Sequence, residues 1–420
     1  MKTDTPIRYA VAAALASFTV GAQATGFQLE QNASGLGNAY SGQAAAAENA
    51  STIFYNPAGM TRLPGTHAGM VFTFIGPAIK FSDTGGSTAP GGLPSPGGNG
   101  GDAGGWTLAP KGYFSYQLNN RVWLGLGLSV PFGLKTEYAE GWLGRFQSRR
   151  AELKTIDLNP SVAFKVSDAV SLGAGVSYQK ADVKVDRSTF LGIEIPTKIT
   201  LEDESWGYNL GALFTLSPAT RIGVTYRSRI EHDLTGSAVV AGAAAPSVRA
   251  TAELPDTISW GIAHQLNPKW ELLGDITYTR WSSIKGVPIV ATSTSALGIA
   301  GTTLDTFNFQ FKDSYRIGVG ANWQWRDDFV LKFGVAYDRS PVEDRFRTVV
   351  FPDDDRIWLA LGGKYRMSKR SVLDFGYAHL FMKDTSISQL RGLGIGGQGN
   401  VVGDYDNAVN IFSIQYSHAF

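Results

Sequence analysis

The sequence predicts an all-β fold: a transmembrane antiparallel β-barrel of fourteen strands with an N-terminal plug, or hatch, inside the lumen. Three observations predict it. Apolar and polar side chains alternate along most of the chain, as in Arg221 to Glu231, where Ile222, Val224, Tyr226 and Ile230 share one face; period 2 is the signature of strands. The connections sort by length, short turns alternating with longer polar or glycine-rich stretches, which is the plan of an outer-membrane barrel rather than a sandwich. A stretch of about 40 residues without alternation precedes the first strand, and fourteen strands enclose more space than their own side chains fill.

Composition agrees. The chain has 420 residues, with 37 Lys+Arg against 36 Asp+Glu, so nucleic acid is not expected as a partner. The absence of cysteine excludes a disulfide scaffold and a thiolate metal site. A mean hydropathy close to zero argues against a helical membrane bundle. Aromatics at 12% and 50 glycines are unusual for a soluble enzyme.

In chain order, residues 1–24 read as a secretory signal. Lys2 and Arg8 supply the basic start, Val11 to Val20 the apolar run, and Ala22-Gln23-Ala24 the cleavage site. Residues 25–66 read as the hatch and 67–420 as the barrel. Strands are expected at 67–80, 107–118, 121–132, 153–166, 169–187, 202–216, 219–232, 247–266, 269–281, 304–325, 328–340, 355–367, 370–385 and 407–420. Short turns fall at Asn119-Asn120, Ser167-Asp168, Ser217-Pro218, Asn267-Pro268, Arg326-Asp327-Asp328 and Ser368-Lys369. Seven longer loops complete the alternation, the first, 85–105, carrying ten glycines and three prolines. The parity puts both barrel ends on the short-turn, periplasmic side. The C-terminal series Phe412, Ile414, Tyr416 and Phe420 suits recognition by the barrel-assembly machinery. Outer-membrane lipid and lipopolysaccharide are the expected surroundings.

The fifth strand informs on the lumen. Leu172, Ala174, Val176 and Tyr178 face lipid, and the same face continues as Lys180, Asp182, Lys184 and Asp186, which belong in water. The inner face changes from Ser171, Ser177 and Gln179 to Ala181, Val183 and Val185. A porin keeps a polar interior; a lumen that turns apolar toward the outside implies a hydrophobic passenger.

The chain resembles a known family, the FadL-type outer-membrane long-chain fatty-acid and aromatic-hydrocarbon transporters. The resemblance rests on an ordered set: Gly26-Phe27-Gln28-Leu29, Ser34-Gly35-Leu36-Gly37-Asn38-Ala39-Tyr40-Ser41-Gly42, Asn56-Pro57-Ala58, Phe311-Lys312-Asp313-Ser314-Tyr315-Arg316, Ser340-Pro341-Val342 and Pro352-Asp353-Asp354-Asp355-Arg356. It implies passive uptake of a hydrophobic small molecule, bound in the lumen and released sideways through a gap associated with a kink in strand three. Gly125, Gly127 and Pro131 lie in that strand, and such residues tolerate interruption. The resemblance places Phe27, Arg187 and Lys312 on the pocket. By strand phase Arg187 shares the inner face of Val183 and Val185, and Lys312 that of Ser314, Arg316, Gly318 and Gly320. Two cations above an apolar chamber suit a carboxylate head; the alternative is pairing with lumen acids such as Glu202 or Asp203. Asn56-Pro57-Ala58 in the hatch is expected to hydrogen-bond the wall interruption, or else to be an ordinary turn. Trp142 to Phe146 forms either a capture surface or a packed loop cluster. The loops after Arg187 and His232 are shorter than in the best-known members, which puts an outer binding groove in doubt.

Other chemistry is weakly signalled. Gly394-Ile395-Gly396-Gly397-Gln398-Gly399 matches a dinucleotide fingerprint without its strand–turn–helix context. The five histidines are scattered, and no nucleophile elbow is present. No cofactor, metal or catalytic residue is expected. The sequence therefore favours uptake of fatty acids, with aromatic or alkane hydrocarbons as the alternative and a general porin or a phospholipase-type enzyme behind.

Overall fold

The computed structural model describes residues 27–420 except 93, 242 and 295–298. The expected signal segment 1–24, with Thr25 and Gly26, lies outside the described residues. The strands close into one antiparallel ring of fourteen. They are β1 (Thr66–Asp83), β2 (Thr107–Gln117), β3 (Val122–Ser129 and Gly133–Glu137), β4 (Arg150–Lys165), β5 (Val170–Phe190), β6 (Glu194–Ser217) and β7 (Thr220–Arg227 and Ile230–Val240). Then follow β8 (Ala243–Leu254 and Thr257–Asn267), β9 (Trp270–Thr279 and Gly286–Ala291), β10 (Thr303–Asn308 and Ser314–Arg326), β11 (Phe329–Asp338), β12 (Arg356–Arg366), β13 (Ser371–Met382 and Thr385–Leu390) and β14 (Asn400–Ala419). β14 closes on β1 from His67↔Ala419 to Asp83↔Gly403.

Two expectations need correcting. The connections after β5 and β7 are not long loops, because these strands pair to their tips, Phe190↔Glu194 and Val240↔Ala243. β14 begins at Asn400 rather than 407, its upper part pairing with the second segment of β13.

The outer face explains the alternation. Leu172, Val176, Leu210, Ile317, Val335, Leu359 and Phe412 are apolar yet exposed, which is the lipid band. At its upper edge Tyr278 and Tyr337 donate to Asp313 and Asp355 at 2.7 and 2.6 Å, so each ring lies in lipid and its hydroxyl at the polar boundary. Above that edge Lys180 pairs with Glu202 at 2.9 Å.

Residues 27–65 fold inside the ring as short helices α1 (Ala33–Leu36), α2 (Gln43–Ala46) and α3 (Thr52–Tyr55) and a 3-10 turn at Pro57–Arg62. They are too short to persist alone and are held by the wall. Asn38 donates to Ala321 and Phe333 carbonyls at 3.0 and 3.2 Å, and Lys332 to the Ser34 carbonyl at 2.7 Å. Glu48 bridges Lys332, at 2.9 Å, and Lys364.

Candidate functional site

The wall is interrupted at β3. Its pairing with β2 ends at Gly112↔Leu128, although β2 continues upward on β1 to Thr107↔Ile75. Above residue 132, β3 pairs only with β4, from Gly133↔Lys154. The window between β2 and upper β3 is roofed where Glu137 N–H donates to the Ala103 carbonyl at 2.9 Å. Pro131 sits in the break, where its missing N–H costs no ladder bond. Gly125 and Gly127 do not make the kink. They lie in the regular lower segment, where a Cβ would strike Ile53 and, at Gly125, Met60 of the hatch; they seat the hatch against the wall.

Free backbone groups in a membrane cost several kcal/mol each, so the break must be re-satisfied. The group that does so is Gln31. Its Nε2 donates to the Val130 carbonyl at 2.7 Å, and its Oε1 accepts from Val130 N–H at 3.4 Å. Leu29 N–H donates to the Pro131 carbonyl and Gly133 N–H to the Phe27 carbonyl, both at 2.8 Å. From the neighbouring β4, Thr155 Oγ1 accepts from Phe132 N–H at 2.9 Å. Gln31 carried no motif of its own, and only its position two residues after Leu29 signalled it.

Asn56 is elsewhere. Its Nδ2 donates to the carbonyls of Ala44 at 2.7 Å and Ala212 of β6 at 3.0 Å, while its Oδ1 caps the 3-10 turn through Ala58 N–H. Pro57 and Ala58 press on β5 at Gly173 and on β6 at Gly211, where a Cβ would collide with Ala58 and Asn56 respectively. The motif bonds an intact stretch of wall, not the strand-three break.

Above the hatch lies an apolar cavity of about 120 Å³ lined by Phe27, Val183, Val185, Leu201, Leu254 and Phe307, among others. The predicted Phe27, Val183 and Val185 thus meet on one chamber. Its floor is an aromatic cluster. Phe27 packs edge-on against Trp281 and Phe351, at ring separations of 4.6 and 5.5 Å, and beside Phe132 and Phe311. Phe132 belongs to the β3 break, so the chamber floor and the wall window share a residue.

The two predicted cations are not there as a pair. Arg187 is bound to Asp305, which also accepts from Arg391 at 2.7 Å and Gln398 at 3.0 Å. It lines a polar outer cleft with Glu194 and Lys198 instead of the chamber. The pairing alternative holds, with Asp305 as the acid. Lys312 is half-buried, and its N–H donates to the Pro341 carbonyl at 3.0 Å. Residues 309–313 interrupt β10, and the phase slips across them. Phe307 before the interruption and Phe311 within it are buried on odd numbers, whereas Ser314 and Gly318 after it are buried on even numbers. Phe311, not Lys312, carries the inward position.

Trp142, Leu143 and Phe146 are buried, Trp142 stacking on Tyr138 at 3.6 Å; this is a packed loop cluster. The loop 339–355 covers the chamber, with Val350 in its lining and Phe351 on Phe27.

The chain matches the family model described as outer membrane protein transport protein (OMPP1/FadL/TodX) over residues 15–420. It is similar to the long-chain fatty acid transport protein of Escherichia coli (strain K12), 29% identical over 430 aligned positions that cover 90% of this chain and 93% of that protein. Among solved structures, a Pseudomonas aeruginosa FadL homologue superimposes with a TM-score of 0.86 at 23% identity, covering 94% of this chain and all of that one. The Ralstonia pickettii toluene transporter TbuX superimposes with a TM-score of 0.67 at 19% identity, covering 93% and 98%. Both superpositions concern the fold, while the family match spans nearly the whole chain. The chain belongs to the outer membrane protein transport protein family (OMPP1/FadL/TodX).

Proposed function

We propose that this outer-membrane protein is a transporter, not an enzyme, that takes up hydrophobic molecules passively, long-chain fatty acids first among them. The observation that carries this is the apolar chamber standing directly over a confined, internally re-bonded break in the wall. A passenger held by apolar burial, at about 0.8 kcal/mol per CH₂, would lose that energy on entering periplasmic water. A side exit at the β3 window keeps it apolar throughout. Residues 27–65 act as a plug that blocks the straight path. Phe27, Val183 and Val185 form the binding surface, and Pro131 with Gln31 the exit frame.

An uncharged aromatic or alkane hydrocarbon is the second reading. It is favoured by one observation, that Arg187 is neutralised by Asp305 and does not head the chamber. The experiment is uptake of radiolabelled oleate and hexadecane by cells lacking this protein, with and without its expression. Protein-dependent uptake of oleate is the expected result, uptake of hexadecane alone supports the second reading, and uptake of neither refutes transport.

A further inference from the structure

Below the aromatic floor lies a second cavity, of about 160 Å³, between the hatch and strands β7 to β10. Its character differs from that of the chamber. Arg227 and Arg316 line it, with Asp275, Glu30 and the side chain of Tyr55, and so do Pro131 and Phe132 from the break in β3. A cavity so placed adjoins the wall window from the inside.

The charges in it are unequally matched. Arg316 is paired with Asp275 at 3.3 Å. Glu30 sits in the field of Lys111 and Arg356. Arg227 forms no ion pair among the described residues. Its guanidinium donates to Ser177 Oγ at 3.2 Å and to the Phe54 carbonyl at 3.0 Å, and lies 4.1 Å above the Phe54 ring. The acid that acts on it is Asp157, which stands behind Ser177. A guanidinium this deep in a membrane protein, fixed in place yet without a carboxylate in contact, is costly unless something anionic visits it.

We infer that the lower cavity is a head-group subsite for a long-chain carboxylate, with Arg227 as the group that holds the anion. Arg227 occupies the role that strand phase assigned to Arg187, one storey lower and beside the exit. A carboxylate lodged there has its alkyl chain next to Pro131, where the wall is open, so the acid can enter the bilayer chain-first while its head remains bonded. This inference rests on the transport reading and narrows it to acids, because an uncharged hydrocarbon gains nothing from Arg227.

The test uses the full-length protein in detergent, with oleate and oleyl alcohol as probes of equal chain length. Wild type is expected to bind both. Arg227→Gln should weaken oleate at least about tenfold, the size of a lost charged hydrogen bond, and change oleyl alcohol less than about twofold. Arg227→Lys should restore part of the oleate affinity. Equal effects on the two probes, or none on oleate, overturn the subsite while leaving transport intact. Binding of neither probe to wild type overturns both. Wild type also allows a test without substitution. A fatty acid carrying a photoreactive group beside its carboxyl should label peptides containing Phe54 or Arg227, and labelling confined to the upper chamber overturns the inference.

Discussion

At the residue scale, one side chain re-bonds both backbone groups of Val130 at the wall break. Gln31 supplies both a donor and an acceptor to Val130, so a single amide replaces two ladder bonds. Gln31→Ala leaves a buried N–H and a buried C=O unpaired, at about 1–3 kcal/mol each. The expected outcome is an unfolding free energy lower by that amount, read as a fall in the urea midpoint at unchanged slope, and a midpoint equal to wild type would show that other groups close the break. Val183 tests the chamber in the same way. Val183→Trp fills apolar space beside Val185 and Phe307, and affinity for an apolar ligand is expected to fall at least about tenfold, since overpacking or displacement costs about 1–3 kcal/mol. Unchanged affinity, by ligand fluorescence titration, would place the ligand elsewhere.

At the element scale, the loop 339–355 is the cover of the chamber. Arg347 ties it down through the Asp353 carbonyl at 3.1 Å, the Ser386 carbonyl at 2.5 Å and Asp354 at 2.8 Å. Burial pushes the Asp353 carboxyl up to about 6, against the pull of Arg356 and Ser340, and burial moves Asp354 the same way. A carboxyl that holds its proton more tightly folded than unfolded contributes stability that is full below its ordinary value of 3.8 and is lost as pH rises through about 6. Two pH units correspond to about 2–3 kcal/mol. The thermal midpoint is therefore expected to fall between about pH 4 and pH 6 and to level off above. Asp353→Asn should flatten much of that slope, and a slope identical to wild type would assign it to another group. The hatch turn at Asn56-Pro57-Ala58 is the other informative element. Gly211→Val places a branched side chain against Asn56. It is expected to unseat the turn from β6 and expose residues 27–65 to protease, while the β3 break, bonded by Gln31, persists. Hatch protection equal to wild type would contradict this.

At the scale of the whole molecule, the hatch is locked to the barrel by buried charge. Glu48 lies between Lys332, at 2.9 Å, and Lys364, and Lys332 also faces Asp374 at 3.6 Å. Removing one member of a buried network leaves its partners uncompensated, typically at 3–5 kcal/mol. Glu48→Ala is expected to leave the barrel assembled and heat-modifiable on SDS gels but to loosen residues 27–65. The readout is planar-bilayer conductance. Wild type should conduct little and the variant should show larger, fluctuating steps; equal conductance would mean that the remaining contacts hold the plug unaided.

Alternation, turn length and parity together determined the barrel, because period 2 is local and lipid imposes the same rule on every strand. The inner face of β5 likewise announced the apolar chamber, since Ala181, Val183 and Val185 follow one another on one phase. What failed was any inference that carried phase across an interruption or matched partners distant in sequence. The slip at 309–313 moved the inward position from Lys312 to Phe311. Asp305 lies 118 residues from Arg187 and claims it only once β5 and β10 share a lumen. Gln31 is 99 residues from Val130, and nothing short of the folded hatch brings its amide to the break. Strand identity is thus a property of neighbours in the chain. Which buried charge is paired, and which backbone gap is bonded, depends on contacts across the ring, and these the tertiary structure alone decided.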